Sequence, residues 1–248
     1  MCCIYIYINI HKNMYCPSHT GCQQIKSPNN TPNRQTKVRV FIEGNIGVGK
    51  SKIVNCLRME GYECVTEPVA SWNRLLDQYY ADPTRFSFLL QMTIVCSLAS
   101  RHAHFMSNTS SNIVVFERSI KSSQIFTRNA VNNKYMTASD HNIIEKTIKR
   151  LEDTLNTCRD IHIYLKCDPA VCCERIKVRQ RCSEVQQDSC LDNTYLKALH
   201  DLHEQEFRST MKNVYIVNAN RCISDVVSDV NSIIKSAAAV NKGTSNIN

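Results

Sequence analysis

Residues Gly44 to Ser51 read GNIGVGKS and fit the spacing G-x-x-x-x-G-K-S. An apolar, alternating run precedes them (KVRVFIEG) and a helix-like run follows (KSKIVNCLRM). A glycine-rich turn between a strand and a helix lets backbone N–H groups curl around phosphate oxygens. The helix N-terminus adds partial positive charge. In that arrangement Gly44, Asn45, Ile46, Gly47, Val48 and Gly49 form a cradle for a nucleotide such as ATP. Lys50 reaches the β- and γ-phosphates, and the Ser51 hydroxyl ligates Mg²⁺. A glycine-rich turn that binds nothing is the plainer alternative, but both the context and the spacing favour a phosphate loop.

Two further runs end in a carboxylate. In TEPVASW, Glu67 follows a short strand and is held by Pro68; placed beside a transferred phosphate, it can take a proton from an attacking hydroxyl. In VVFERS, Glu117 follows four apolar residues and emerges near the phosphate loop, where it can serve Mg²⁺ directly or through water. Arg118 beside it can brace the substrate or offset developing charge. Taken singly, these are a surface glutamate and a local ion pair of little worth; two glutamates at two strand ends favour a site. The run ERIKVRQRCSEV puts Arg175 and Arg179 on one helix face and Lys177 and Arg181 on another. A solvated basic face is its ordinary meaning, but ahead of a polar loop the same arginines suit a lid over triphosphate.

The elements that must position these residues alternate. Strands are predicted at 37–43, YECVTEP, NIVVFE, DIHIYLK and NVYIVNAN. Helices are predicted after the glycine loop, over 71–81, over Thr84–Asn108 behind the Asp82-Pro83 cap, from Ser119, over Ser139–Cys158, from Asp168-Pro169 to Arg181, over 193–212, and over SDVVSDVNSIIKSAA. Alternation of this kind implies an α/β fold with a five-stranded parallel sheet covered by helices on both faces. Ligands of such sheets sit beyond the carboxyl ends of the strands, where the residues above fall.

Composition bounds the rest. The chain has 248 residues and a formal charge of +8. Residues 1–42 hold five basic residues and no acidic one, so the remainder has 25 basic against 22 acidic residues. That near balance argues against nucleic acid as a partner. No apolar run is long enough to span a membrane. Fourteen cysteines without a secretory signal point to a reducing compartment, with cytoplasm expected and a mitochondrion as the alternative. Cys16, His19 and Cys22 are too few for an ordinary metal site and lack a second ligand pair. Residues 1–36 and 239–248 are expected to be disordered tails around a domain at 37–238.

The motifs in order, EGNIGVGKS, TEPVASW, YYADP with the glutamine-bearing LLQMTIV, FERS and ERIKVRQRCSE, resemble the deoxynucleoside kinase family over about Val38 to Asn220. The resemblance implies ATP and Mg²⁺ as cofactors, a deoxynucleoside substrate and a homodimer. It makes Glu67 the base for the 5′-hydroxyl, with Arg118 steadying it and Glu117 serving Mg²⁺. Arg175, Arg179 and Arg181 would close over ATP, and Asn218, Ala219 and Asn220 would cradle adenine. Tyr80 and Glu184 would hold the sugar 3′-hydroxyl, Gln91 would pair with the base, and Trp72, Ile94 and Leu98 would line the pocket. A primary amide such as Gln91 offers a donor and an acceptor side by side, which match thymine in one orientation and cytosine in the other.

Three departures stand out. Ser183 replaces the first of two expected acidic residues. Ser123 stands where cytosine- and purine-preferring members have a carboxylate, and Leu98 replaces its arginine partner. The uncharged pair favours thymidine. The aromatic expected to stack on the base falls on Thr127 or, with a one-residue shift, on Phe126, and Phe126 is favoured. A P-loop kinase of another metabolite and a non-catalytic nucleotide-binding protein remain the alternatives.

Overall fold

The computed structural model describes residues 37–155, 158–179 and 192–243. Five strands form one parallel sheet: β1 (Val38–Glu43), β2 (Glu63–Val65), β3 (Ile113–Glu117), β4 (Arg159–Lys166) and β5 (Val214–Asn218), in the order β2-β3-β1-β4-β5. The central β1 is buried along its whole length and pairs with β3 on one side (Ile42 opposite Glu117) and β4 on the other (Glu43 opposite Tyr164). Because the strands are parallel, their carboxyl ends share one edge. Glu43, Glu117 and, just past β2, Glu67 therefore come together there.

Eight α-helices lie among the described residues. They are α1 (Lys50–Met59), α2 (Asn73–Ala81), α3 (Pro83–Asn108), α4 (Ser123–Asn132), α5 (Ala138–Leu155), α6 (Pro169–Arg179), α7 (Asn193–Gln205) and α8 (Ile223–Gly243). One face of the sheet (Val40, Ile42, Val115, Ile163, Leu165) packs on α1 and α8 through Ile53, Leu57, Val230 and Ile234. The other face carries Phe41, Phe116 and Tyr164. A third apolar cluster, with Trp72, Val95, Leu98, Ile144 and Ile148, joins α3, α4 and α5 beside the site. At about 25 cal/mol per Å² of apolar surface, burial of this kind dominates the stability of the fold.

The local sequence explains the boundaries. The Asp82 side chain accepts from Arg85 N–H at 3.1 Å and caps α3, with Pro83 in its first turn. The helix expected over 71–81 begins as a 3₁₀ turn at Val69–Ser71, and Trp72 caps α2. The helix expected through 212 loosens into a π-turn at Glu206–Thr210, where Met211 N–H bonds Glu206 C=O at 3.2 Å. The last helix, expected to stop at 238, runs to Gly243, because AAAVNK contains neither glycine nor proline to end it.

Candidate active site

The phosphate loop leaves β1 through Gly44 and enters α1 at Lys50. Gly47 has φ +81°, and a Cβ on it would lie 2.5 Å from Cys172 O. Only glycine fits so close to the backbone of α6. Gly49, at φ 109°, caps α1, and Ile53 N–H bonds its carbonyl at 3.1 Å. Asn45 is buried; it donates to Leu196 O at 2.8 Å and accepts from Ile46 N–H at 2.8 Å, tying the loop to α7. Lys50 Nζ donates to Gly44 O and Asn45 O, each at 2.9 Å. Burial holds its ammonium below the usual lysine range, at about 8; the Arg118 charge acts in the same direction and the nearby glutamates oppose it.

A cavity of about 600 Å³ opens over this loop, within the range of small-molecule sites. Ile46 to Ile53 line its floor. Glu67, Glu117 and Arg118 line the strand-end wall, and Trp72, Tyr80, Gln91, Ile94 and Phe126 line the far end. Arg175, Arg179 and Ala219 line the side beside α6.

The acidic wall is a connected network. Ser51 Oγ donates to Glu117 Oε1 at 2.5 Å, and Glu117 Oε2 accepts from Glu67 N–H at 3.2 Å. Glu67 Oε1 accepts from Arg118 Nε at 2.8 Å in a largely buried ion pair. The Arg118 guanidinium carbon lies 4.5 Å over the Phe126 ring. Its Nη1 is buried with no protein partner among the described residues. A desolvated donor of that kind suits an anion that the protein does not itself supply.

At the far end, Gln91 is buried, reaches the cavity wall and has no protein hydrogen bond among the described residues. Phe126 faces the cavity, whereas Thr127 is fully buried and bonds Gln124 O at 3.0 Å. Ser123 reaches the wall, although its Oγ is buried without a protein partner among the described residues.

Some expected residues sit elsewhere or do other work. Leu98 is not on the cavity wall; it packs in the Trp72 cluster, where an apolar side chain is better buried than exposed. Arg175, expected to close over ATP, donates to Val48 O at 2.9 Å and Ala219 O at 3.0 Å. It lies on α6 and staples Val48 of the phosphate cradle to Ala219 after β5. Asn218 and Asn220 do not line the cavity. The Asn218 side chain accepts from Asn220 N–H, and Asn220 Oδ1 accepts from Asp168 N–H, both at 3.0 Å, which shapes the turn around Ala219. Arg181, Glu184 and the Cys16–Cys22 segment lie outside the described residues.

Sequence reasoning missed Tyr79, Leu76, Val69 and Tyr195 on the wall, and Arg221 to Ile223 near Ala219. The signal for Tyr79 was its neighbour Tyr80, and that for Arg221 was its place directly after NAN. Tyr79 and Tyr195 hydroxyls meet at 3.4 Å. Glu43 was also missed. Burial alone would raise its pKa, yet the bond and charge of His162, the Ser119 contact and Arg118 bring it down to about 2.

No helix among the described residues is long and apolar enough to cross a membrane. The deoxynucleoside kinase family model matches residues 40–241. Similar proteins include one of fowlpox virus (strain NVSL), named a probable deoxycytidine kinase, at 30% identity over 74% of this chain and 77% of that protein. Human mitochondrial thymidine kinase 2 is 28% identical over 72% of this chain and 67% of its own. Human deoxycytidine kinase is 28% identical over 67% and 74%. With a cavity that joins a phosphate loop to a glutamate–arginine pair, and a family match across nearly all of the described residues, the chain belongs to the deoxynucleoside kinase family.

Proposed function

We propose that the protein transfers the γ-phosphoryl group of ATP to the 5′-hydroxyl of pyrimidine deoxynucleosides, thymidine first, and so supplies monophosphates for DNA precursor salvage. The observation that carries this reading is the path across one cavity. Lys50 and the glycine loop, the Glu67–Arg118 pair, and the Gln91 amide, which has no protein partner among the described residues, all line it, with Arg118 lying over the Phe126 ring.

The O5′–H gives its proton to Glu67 as the O5′–P bond forms and the bond from the γ-phosphorus to the ADP oxygen breaks. The hydroxyl need not ionise beforehand, since the base takes the proton during bond formation. Arg118 steadies Glu67 through Nε and keeps Nη1 for the moving phosphoryl group. Ser51 and Glu117, an adjacent hydroxyl and carboxylate facing the phosphate loop, fit Mg²⁺, which prefers oxygen ligands and takes others from phosphates. When bound, Mg²⁺ neutralises the charge that develops on the phosphates.

Gln91 reads either pyrimidine. Ser123 and Leu98 remove the charged pair that a purine or cytosine edge would use, and this favours thymidine. The exposed Leu89 on α3 and Ile143 on α5 support a homodimer through those helices. Neither nucleic acid nor a membrane enters this reading as a partner. An ADP-release assay over the four natural deoxynucleosides, with ribothymidine as the sugar control, tests it. Thymidine should give the highest kcat/KM and ribothymidine little turnover. ATP binding without thymidine-dependent ADP release would instead support a non-catalytic nucleotide-binding protein.

A further inference from the structure

Glu43 closes β1 and is wholly buried. Its Oε1 accepts from Ser119 N–H at 3.1 Å and meets His162 Nδ1 at 3.3 Å. Its Oε2 is buried with no partner among the described residues. A buried carboxylate with one oxygen unsatisfied is unfavourable, and an apolar residue of similar volume would serve packing better. Its presence there therefore needs a reason besides packing.

The geometry supplies one. Arg118 has φ 69°, a left-handed conformation that is strained for a residue with a side chain. Its N–H bonds Ile42 O at 3.0 Å, and the next N–H, of Ser119, bonds Glu43. Two consecutive residues of β1 thus hold two consecutive N–H groups of the turn that leaves β3. This turn swings the Arg118 side chain off the sheet and onto Glu67.

We propose that Glu43 is a positioning residue for phosphoryl transfer: its buried carboxylate, steadied by His162, clamps Ser119 N–H so that the strained turn delivers Arg118 to Glu67. The inference rests on the roles given above to Glu67 and Arg118. Glu43 touches neither the cavity wall nor a reacting atom. Its loss should therefore appear in the rate of the chemical step rather than in affinity, because small misplacements of a catalytic group cost up to about 100-fold.

The test measures kcat, both KM values and melting temperature on the full chain for Glu43→Gln, His162→Phe, His162→Asn and Glu67→Gln. Glu43→Gln should lower kcat by about 10- to 100-fold with both KM values within about threefold. His162→Phe should lower kcat in the same way. His162→Asn, whose amide nitrogen can replace Nδ1 as the donor, should recover most of that loss. A Glu43→Gln enzyme that melts earlier but keeps kcat within twofold of the parent would overturn the clamp, leaving Glu43 a structural residue. Should Glu43→Gln fail to fold, His162→Phe decides: an unchanged kcat there overturns the proposal. Full turnover in Glu67→Gln would instead defeat the reading on which the clamp rests, whereas a collapse in Glu67→Gln with normal Glu43→Gln would defeat the clamp alone.

Discussion

Glu67 Oε1 accepts from Arg118 Nε at 2.8 Å, across 51 residues of chain and between the ends of two neighbouring strands. The pairing orients the base through one carboxylate oxygen, and the second has no protein hydrogen bond among the described residues and can meet a hydroxyl. Glu67→Gln preserves shape and removes basicity. Its kcat should fall by about 10²- to 10⁴-fold, the usual worth of a positioned general base. Calorimetry should find thymidine affinity nearly unchanged, and a near-normal kcat would assign the proton to another group.

Lys50 gives the site a pH signature. Burial, then the Arg118 charge, places its folded-state pKa at about 8. A triphosphate beside it favours the protonated form and raises that value. ATP binding at pH about 9, where phosphate is already fully ionised, should therefore take up a proton. Affinity should be steady between about pH 7 and 8, where phosphate is largely ionised and Lys50 protonated, and fall above it. Calorimetry in buffers of differing ionisation enthalpy measures the uptake, which should vanish in Lys50→Met.

Gly47 tests the cradle. A methyl group there would stand 2.5 Å from Cys172 O and 2.8 Å from Ile176 Cγ1, at a φ that side chains rarely adopt. Gly47→Ala should push the loop off α6, lower the melting temperature and raise KM for ATP by about tenfold or more. Gly49→Ala meets no atom within 4 Å, though its φ of +109° is equally unsuited to a side chain. It should keep the loop against α6 and disturb only the start of α1. Melting curves and ATP kinetics on the two variants separate clash from backbone strain.

Selectivity should follow the charge of two buried positions. Ser123→Asp alone buries an unpaired carboxylate and should cost both stability and thymidine turnover. Adding Leu98→Arg supplies a cation from α3. The double variant should regain stability over the single one and raise the share of deoxycytidine relative to thymidine in a competition assay. A double variant no more stable than Ser123→Asp would show that the two positions do not pair.

Much of this architecture is legible in the chain. Five apolar runs separated by helical periods lead to a parallel sheet, and the sheet gathers its strand ends, so the sequence alone brings Glu67, Glu117 and Arg118 to one edge. Phe126 was separable from Thr127 only by register, and the structure puts Phe126 on the wall. Glu43 was hidden because it ends an apolar run as any strand-terminal polar residue does, and its partners lie 76 and 119 residues away. Arg175 read as a lid cation because a sequence shows charge but not the carbonyls of Val48 and Ala219 that occupy it. Leu98 read as pocket lining because a buried helix face and a cavity wall share the same apolar pattern.

A crystal structure with thymidine and a non-hydrolysable ATP analogue measures the central relationship directly. The 5′-oxygen should lie within hydrogen-bond reach of the Glu67 carboxylate, about 2.6–3.2 Å, with Lys50 on the terminal phosphates. A 5′-oxygen well beyond that reach, with the Glu67 carboxylate turned away from the nucleoside, would contradict it.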